Sequence, residues 1–438
     1  MEWYWAAALL FGLIVALMLF GMPVAVAFLG ANVVGAWIFM GGGRGVVQML
    51  TNGFGAMTSF ALVPIPMFLL MGDLFYHTGL AARMFNAVDR LMGNVPGRLA
   101  YVTVAGGTGF AALSGSSMGS TALLGSLMVP DMMKRGYNKY LSIGPIMGTG
   151  GLAVIIPPSA LAVLLATLGR IDVGDLLLAG VVPGLVLASA YTVLIFVWTL
   201  LDPGAAPRYA AGQATLREKL RLVVSDILPM FVVIVVVIGV MVVGWATPTE
   251  AAAIGCFAVM LLAVGFRCLT WKAFKLSVDA ALRVTTMAFL IIFGSATFSQ
   301  LLAFSGASSG LIDYFIGFEV PPLGMLLIML GIILFLGCFM DQLSMMLLTA
   351  PVFFPLALEL GFDQIWFGLI MLLSLEIGYT TPPFGLLLFV MKGVAPPGTT
   401  MRDIYFAAAP FVACVMLLIA AIILYPPLAT FLPQLSHR

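Results

Sequence analysis

Gly148-Thr149-Gly150-Gly151-Leu152-Ala153-Val154-Ile155-Ile156-Pro157-Pro158 carries an apolar run into a pair of prolines. A second pair, in Thr380-Thr381-Pro382-Pro383, stands 225 positions further on. The same spacing of 225 relates Pro130 to Pro355 and Gly136-Tyr137-Asn138 to Gly361-Phe362-Asp363. Proline lacks an amide hydrogen and clashes with the carbonyl four residues back, so a pair in mid-run breaks a helix and frees carbonyl oxygens. Broken apolar segments at corresponding places in two halves indicate an internal repeat, and in membrane proteins they point to a transport site.

Hydrophobic residues make up 62% and charged residues 8% of the 438-residue chain. A soluble fold of that length has no means of hiding so much apolar surface behind so few charges. Runs of about 20 apolar residues, enough for a helix to cross a bilayer, recur from end to end. The expected class is an all-α polytopic membrane protein, and a barrel is excluded by the lack of alternating strands of about ten residues. Simple spans are read at 5–20, 23–40, 58–77, 176–201, 226–245, 250–266, 284–303 and 404–432, and broken ones at 139–169 and 364–391. Two further runs, 99–131 and 321–358, are too long for one crossing. Their centres are Leu113-Ser114-Gly115-Ser116-Ser117-Met118-Gly119-Ser120 and Leu336-Gly337-Cys338-Phe339-Met340-Asp341-Gln342. Read as re-entrant helical hairpins, they place these tips near the midplane, where irregular backbone survives only against protein or a wet cavity.

The charges are consistent with that layout. With both hairpins re-entrant, ten crossings remain and both termini are predicted periplasmic. Of the 19 lysines and arginines, all but Arg44, Arg170 and Arg438 then face the cytoplasm, as the positive-inside rule requires. The repeat becomes an inverted-topology repeat: the first hairpin opens inward between Arg98 and Lys134, the second outward between Glu319 and Glu359. Two full crossings per hairpin would leave the same charge map, so re-entry rests on the repeat and the polar tips. The expected organisation is 1–58 N-terminal scaffold helices, 59–201 first inverted repeat, 202–225 cytoplasmic linker, 226–283 scaffold helices and 284–432 second inverted repeat. The first repeat holds an interfacial arm at 79–96, the inward-opening hairpin 99–131 and the broken helix 139–169; the second holds the hairpin 321–358 and the broken helix 364–391. Leu216-Arg217-Glu218-Lys219-Leu220-Arg221 reads as a surface helix, and the aromatic Met1-Glu2-Trp3-Tyr4-Trp5 as an interfacial anchor into a retained helix. Cys256, Cys268, Cys338 and Cys414 lack metal spacing and read as buried hydrophobes.

Gly115-Ser116-Ser117-Met118-Gly119 matches the G-x-S-x-G of a nucleophile elbow, the basis of an alternative reading as an intramembrane serine hydrolase. That device needs a strand-to-helix turn with a histidine and an acid in reach; the histidines are His77, at a helix end, and His437, in the tail. No Walker A sequence occurs. Cation coordination suits the pattern better. Freed carbonyls and half-helix C-termini attract Na⁺, and the opposing N-termini attract an anion. A first site joins the Ser114–Ser117 tip to the break from Gly148 to Pro157; a second joins the Gly337–Asp341 tip to Thr380, Thr381 and Pro382. The bland alternative is glycines for close packing and prolines for kinks, which two repeat-related sites make the weaker account. Asp341 is the carboxylate expected at a tip, either functional or capping a helix near Ser344. Its repeat counterpart is Ser116. Glu376 is a lesser candidate, paired with a base or facing a cavity, and Asp73 is expected near an interface.

These residues resemble the large membrane (M, DctM-like) subunit of tripartite ATP-independent periplasmic (TRAP) transporters. The resemblance runs over essentially the whole chain. It is carried by Gly148–Ser159, Ser114–Pro130, Met340-Asp341 with Pro351 and Pro355, and Ile377-Gly378-Tyr379-Thr380-Thr381-Pro382-Pro383-Phe384-Gly385. It implies an elevator-type secondary transporter of the ion-transporter superfamily in the bacterial inner membrane, not an enzyme. It implies Na⁺ as coupling ion without organic cofactor, and an organic acid anion such as a C4-dicarboxylate or sialic acid as substrate. The implied partners are a separate small four-helix Q-type membrane subunit and a periplasmic substrate-binding protein; no nucleic acid is involved. On that basis one Na⁺ is expected among Ser114, Gly115, Ser116, Gly150, Gly151 and Pro157. Another is expected among Gly337, Met340, Asp341, Thr380, Thr381 and Pro382, with substrate near Ser116, Ser117 and Thr381. No basic residue is predicted at that depth, so either hydroxyls, backbone N–H groups and helix N-termini would hold the carboxylate or a base would reach in from a helix end. The rival transport readings are a stand-alone Na⁺/dicarboxylate symporter of the same superfamily and a passive channel.

Overall fold

Helix accounts for nearly all the regular structure in the computed structural model, which describes residues 2–92, 95–207, 215–317, 320–337, 340–382 and 385–436. No strand occurs among them. Pro383, Phe384, Cys338, Phe339, Glu319, Arg208, His437 and Arg438, all used in the sequence reading, lie outside the described residues.

Five helices precede the first hairpin: α1 (Trp3–Leu19), α2 (Val24–Phe39), α3 (Gly43–Met57), α4 (Pro64–His77) and α5 (Leu80–Leu91). The hairpin is α6 (Arg98–Ser114) and α7 (Ser117–Lys134); the broken helix is α8 (Lys139–Ile155) and α9 (Ala160–Gly169), followed by α10 (Val173–Leu201). The connecting stretch carries α11 (Leu216–Leu222), α12 (Leu228–Val242) and α13 (Pro248–Gly265). Then come α14 (Trp271–Phe304), α15 (Ala307–Ile316), the second hairpin α16 (Pro322–Gly337) and α17 (Gln342–Glu359), and the second broken helix α18 (Gln364–Thr380) and α19 (Leu386–Val394). α20 (Met401–Leu424) and α21 (Pro427–Ser436) close the chain. Seven described helices are long and apolar enough to cross a membrane, or eight if α8 and α9, bent by 45°, count as one span.

The landmarks 225 residues apart have a common structural meaning. Gly136 and Gly361 both adopt positive φ, at +84° and +77°, just past the ends of α7 and α17. The N–H of Tyr137 reaches the Met132 carbonyl and that of Phe362 the Ala357 carbonyl, each closing the same left-handed C-terminal motif. Two residues on, Asn138 and Asp363 cap the next helices, accepting from the N–H groups of Tyr140 and Trp366. The tips match as well: Ser116 caps α7 by accepting from Gly119, and Asp341 caps α17 by accepting from Leu343. Equivalent sequence positions thus start and stop equivalent helices.

The core is built around the two broken helices. In α8 every residue from Leu141 to Ile155 is buried, and in α18 every residue from Trp366 to Thr380. Each hairpin packs on the broken helix of its own half, α6 and α7 on α8, α16 and α17 on α18, and α8 touches α18. Helices α10 and α20 also pack on α8 and α18, whereas α14 packs against α2, α3 and α4, and α13 joins α4 and α12. Asn32 ties α2 to α14 by donating to the Thr297 hydroxyl at 2.5 Å and the Gly294 carbonyl at 2.7 Å.

Three elements depart from the sequence reading. α3 is an additional helix: its hydrophobic residues recur on one face among Arg44, Gln48 and Asn52, so it lacked a span-like run. α14 is 34 residues long, about 51 Å, and runs unbroken across the expected 283/284 boundary. Its first turns, Trp271–Arg283, are mixed in polarity, which hid them from a search for apolar spans. The expected 404–432 segment is two helices parted at Tyr425-Pro426. The stretch expected as an arm holds helix α5, tied to the turn before α12 by the Arg83–Asp226 ion pair, and the Leu216 run is helical with a Thr215/Glu218 capping box.

Candidate functional site

Both hairpin tips open onto one cavity of about 330 Å³. Gly115, Ser116, Ser117 and Met118 line it from the first tip, Asp341, Gln342 and Leu343 from the second. The far wall comes from the α4 and α14 side, through Ile65, Leu69, Val284, Met287 and Ala288. Ala160, Leu161 and Leu164 of α9 and Tyr379 of α18 complete it. The N-termini of α7 and α17 therefore start at the cavity, and such termini carry partial positive charge and N–H groups without helical partners.

At the first tip Gly115 turns the chain with φ of +57°, a conformation that disfavours any side chain with a Cβ. A Cβ there would lie 3.0 Å from the Pro158 carbonyl oxygen, so the tip seats on the break between α8 and α9. Pro157 is buried at that break. Because Pro158 has no N–H, the Val154 carbonyl lacks its helical donor and is taken instead by the Ser159 hydroxyl at 2.6 Å. Ser114 bonds Ser120 across the tip at 2.9 Å. Gly150 faces the Thr121 hydroxyl, which is fully buried and has no hydrogen-bond partner. An orphaned hydroxyl oxygen buried against α8 is a group that a hard cation bound by oxygen ligands would satisfy.

The second tip meets its break more closely. Gly337 packs directly on the backbone of Gly378. Thr380 donates to the carbonyls of Glu376 and Ile377, and Thr381 to that of Ile377, leaving their hydroxyl lone pairs free to accept or ligate. Met340 is half-buried and Pro382 exposed. Asp341 caps α17 with one carboxylate oxygen on the Leu343 N–H at 3.1 Å and the other on the Ser344 hydroxyl. The capping role expected around Ser344 is thus present. Of the three residues expected near substrate, Ser116 and Ser117 line the cavity; Thr381 stands outside the lining, where Tyr379 takes its place.

The residue that sequence reasoning undervalued is Glu376. It is 3% exposed, and one of its oxygens accepts from the Ser117 hydroxyl at 3.1 Å and from the Gln342 side-chain amide. Ser117 and Gln342 are the first residues of α7 and α17 and are themselves 225 positions apart. The counterpart of Glu376 by the same spacing is Gly151, where a Cβ would come within 2.9 Å of the Glu376 Cγ and 3.0 Å of Oε1. One carboxylate therefore joins both halves where they cross, and the glycine opposite makes room for it. The repeat arithmetic held that signal: a glycine paired with a glutamate marks a place where one half intrudes on the other.

The G-x-S-x-G match has no elbow geometry. It lies between two helices, its Ser117 hydroxyl is given to Glu376, and His77 bonds the Asp73 carbonyl at 2.9 Å at the end of α4. Residues 11–428 match the family described as "Tripartite ATP-independent periplasmic transporter, DctM component".

The chain belongs to that family.

Among its relatives, the C4-dicarboxylate TRAP transporter large permease protein DctM of Rhodobacter capsulatus is 31% identical, over 98% of this chain and 99% of that protein. The sialic acid TRAP transporter large permease protein SiaM of Vibrio cholerae serotype O1 is 28% identical, over 91% of this chain and 92% of its own length. In fold the DctM-family chain resembles the crystal structure of the Alcanivorax borkumensis YdaH transporter, described as having an unusual topology. The TM-score is 0.62 at 14% identity, over 88% of this chain and 90% of that one. As a DctM component the chain is a multi-pass transport protein, not an enzyme.

Proposed function

We propose that this DctM-family chain moves an organic acid anion across the bacterial inner membrane by Na⁺-coupled, elevator-type secondary transport. The observation that carries the reading is the shared cavity. Its mobile-side wall is two repeat-related helix N-termini with Ser116, Ser117, Asp341 and Gln342; its other wall is apolar and belongs to the α4 and α14 side. An anion held by hydroxyls, amides and helix N-termini would travel with the hairpins while α4 and α14 stay in place. No described basic residue lines the cavity.

One Na⁺ would be held where the first tip meets its break, by oxygens around Ser114, Ser116, Thr121 and the 153–158 backbone. A second would lie where the second tip meets Thr380 and Thr381. Na⁺ at each junction would fix the tip that carries the anion-binding N-terminus, so that ion and substrate bind together. Relatives named for C4-dicarboxylate and for sialic acid support a carboxylate substrate. The word tripartite in the family description supports two partners, a small Q-type membrane subunit and a periplasmic binding protein. Both termini are placed in the periplasm on the charge distribution.

Reconstitution tests this directly. Proteoliposomes holding the chain with its small subunit, supplied with loaded binding protein, should accumulate substrate only under an inward Na⁺ gradient. Equal uptake by the chain alone would replace the tripartite reading with a self-sufficient symporter. Uptake that neither saturates nor needs Na⁺ would replace it with a channel.

A further inference from the structure

We propose that a cavity beside α5 is a headgroup site for an anionic phospholipid, in which Arg83, Asn86 and Arg90 hold the phosphodiester and its polar substituent. The cavity measures about 430 Å³ and lies between α5 and the turn before α12, away from the hairpin tips. Arg83, Asn86 and Arg90 line it from α5, and Leu222 and Asp226 from the other side. The three polar residues of α5 stand three and four positions apart on one exposed face, while Leu80, Ala81, Met84 and Phe85 are buried opposite them. The two arginines are rooted seven residues apart, about 10 Å along the helix, with the Asn86 amide between them.

Positive charge is left over at this place. Asp226 holds the Arg83 Nε with one oxygen and accepts from the Ser225 hydroxyl at 2.6 Å with the other. The Arg83 guanidinium also lies 4.1 Å from the centroid of the Phe266 ring. This clamp orients the guanidinium through Nε and one face, and its terminal N–H groups remain for a phosphate oxygen. Arg90 has no ion-pair partner among the described residues. The acids nearby are committed elsewhere: Asp89 pairs with Arg98 at 2.7 Å, and Glu218, in electrostatic reach of Arg90, serves the Thr215 capping box. Helix α11, which packs on α5, adds Arg217, Lys219 and Arg221. The first turn of α5 borders the cavity through Gly79 and Ala82 and has no side-chain cap, so its N–H groups favour an anion too.

Depth selects a lipid over a soluble anion. Two helical stretches long and apolar enough to cross a membrane finish at the cavity: Phe60–His77, two residues before Gly79, and Pro248–Gly265, one residue before Phe266. The next such helix begins at Trp271, which is exposed and has the Lys275 ammonium 5.5 Å from its ring centroid. Tryptophan and lysine at a helix end mark the boundary between membrane and water. A basic pocket at that level meets phospholipid phosphates at high local concentration. A headgroup that carries its own cation is repelled by the surplus arginines, so the anionic lipid is preferred. Bound to Arg90 and to the clamped Arg83, it would fasten α5 to the helix ends around it, and α5 in turn packs on α6 of the first hairpin. The transported substrate and its coupling ion play no part in this assignment.

Native mass spectrometry of the whole chain in neutral detergent tests the site, with dioctanoyl phosphatidylglycerol, dioctanoyl phosphatidylcholine and inorganic phosphate as probes. Phosphatidylglycerol should bind more tightly than phosphatidylcholine, and inorganic phosphate at equal concentration should not displace it. Arg90→Gln should weaken binding of the first phosphatidylglycerol about five-fold, the worth of one basic residue beside a membrane surface. Phosphatidylcholine binding and melting temperature should stay unchanged in this variant, because Arg90 is exposed and pairs with no described acid. Lys272→Gln removes the same charge from the start of α14, outside the cavity lining, and should leave phosphatidylglycerol binding as it is in wild type. If the Arg90 variant does not assemble, Asn86→Ala makes the same comparison. Equal losses in Arg90→Gln and Lys272→Gln would reduce the effect to general surface charge and overturn the proposal. Equal affinity for the two lipids would overturn it as well, and displacement by inorganic phosphate would give the cavity to a soluble anion instead.

Discussion

At the scale of single residues, Gly151 makes room for Glu376. Gly151→Ala puts a methyl group within 3.0 Å of the carboxyl and forces it off its two donors. The expected cost is about 1–3 kcal/mol of stability, read as a lower melting temperature in detergent, as for other overpacked sites. Combining it with Glu376→Ala should relieve the clash, so that the double variant loses less than the two single losses summed; strict additivity would show that the two positions do not meet. Sequence spacing paired these positions, but a one-dimensional offset has no term for distance. Only the fold brought position 376 of one half against position 151 of the other. For Asp341 the sequence left two roles open, and the structure displays the cap.

At the scale of elements, the N-caps at Ser116 and Asp341 separate geometry from charge. Asp341→Asn preserves an acceptor for the Leu343 N–H, so helix α17 should keep its stability to within a few tenths of a kcal/mol. If Asp341 also ligates Na⁺, that variant will show weaker Na⁺ dependence of uptake at unchanged melting temperature. Asp341→Ala should lose both, with about 1 kcal/mol from the lost cap. An unchanged Na⁺ dependence in the Asn variant would confine Asp341 to capping. The repeat landmarks were legible because caps are local: Gly136 and Gly361, Asn138 and Asp363 act on backbone groups a few residues away. Helix α3 and the first turns of α14 were not legible as spans, because their polar faces depress hydropathy and only packing decides what they cover.

At the scale of the molecule, the cavity lies between the hairpin tips and the α4 and α14 side, so transport by an elevator requires these surfaces to slide past each other. A Met287→Cys, Leu343→Cys pair joined by a reducible bifunctional reagent should therefore stop uptake, and reduction should restore it. Full uptake by the cross-linked protein would argue for a fixed pore. The sequence by itself determined the helical membrane class, the paired breaks and the residue types at both tips. Hydropathy, missing proline N–H groups and capping chemistry are properties of short stretches, and they recur wherever the stretch recurs. The tertiary structure decided that both tips share one cavity, that Tyr379 and not Thr381 faces it, and that a single carboxylate spans the two halves. Those are contacts between residues up to 259 positions apart, such as Ser117 with Glu376, and their partners are chosen by packing in three dimensions.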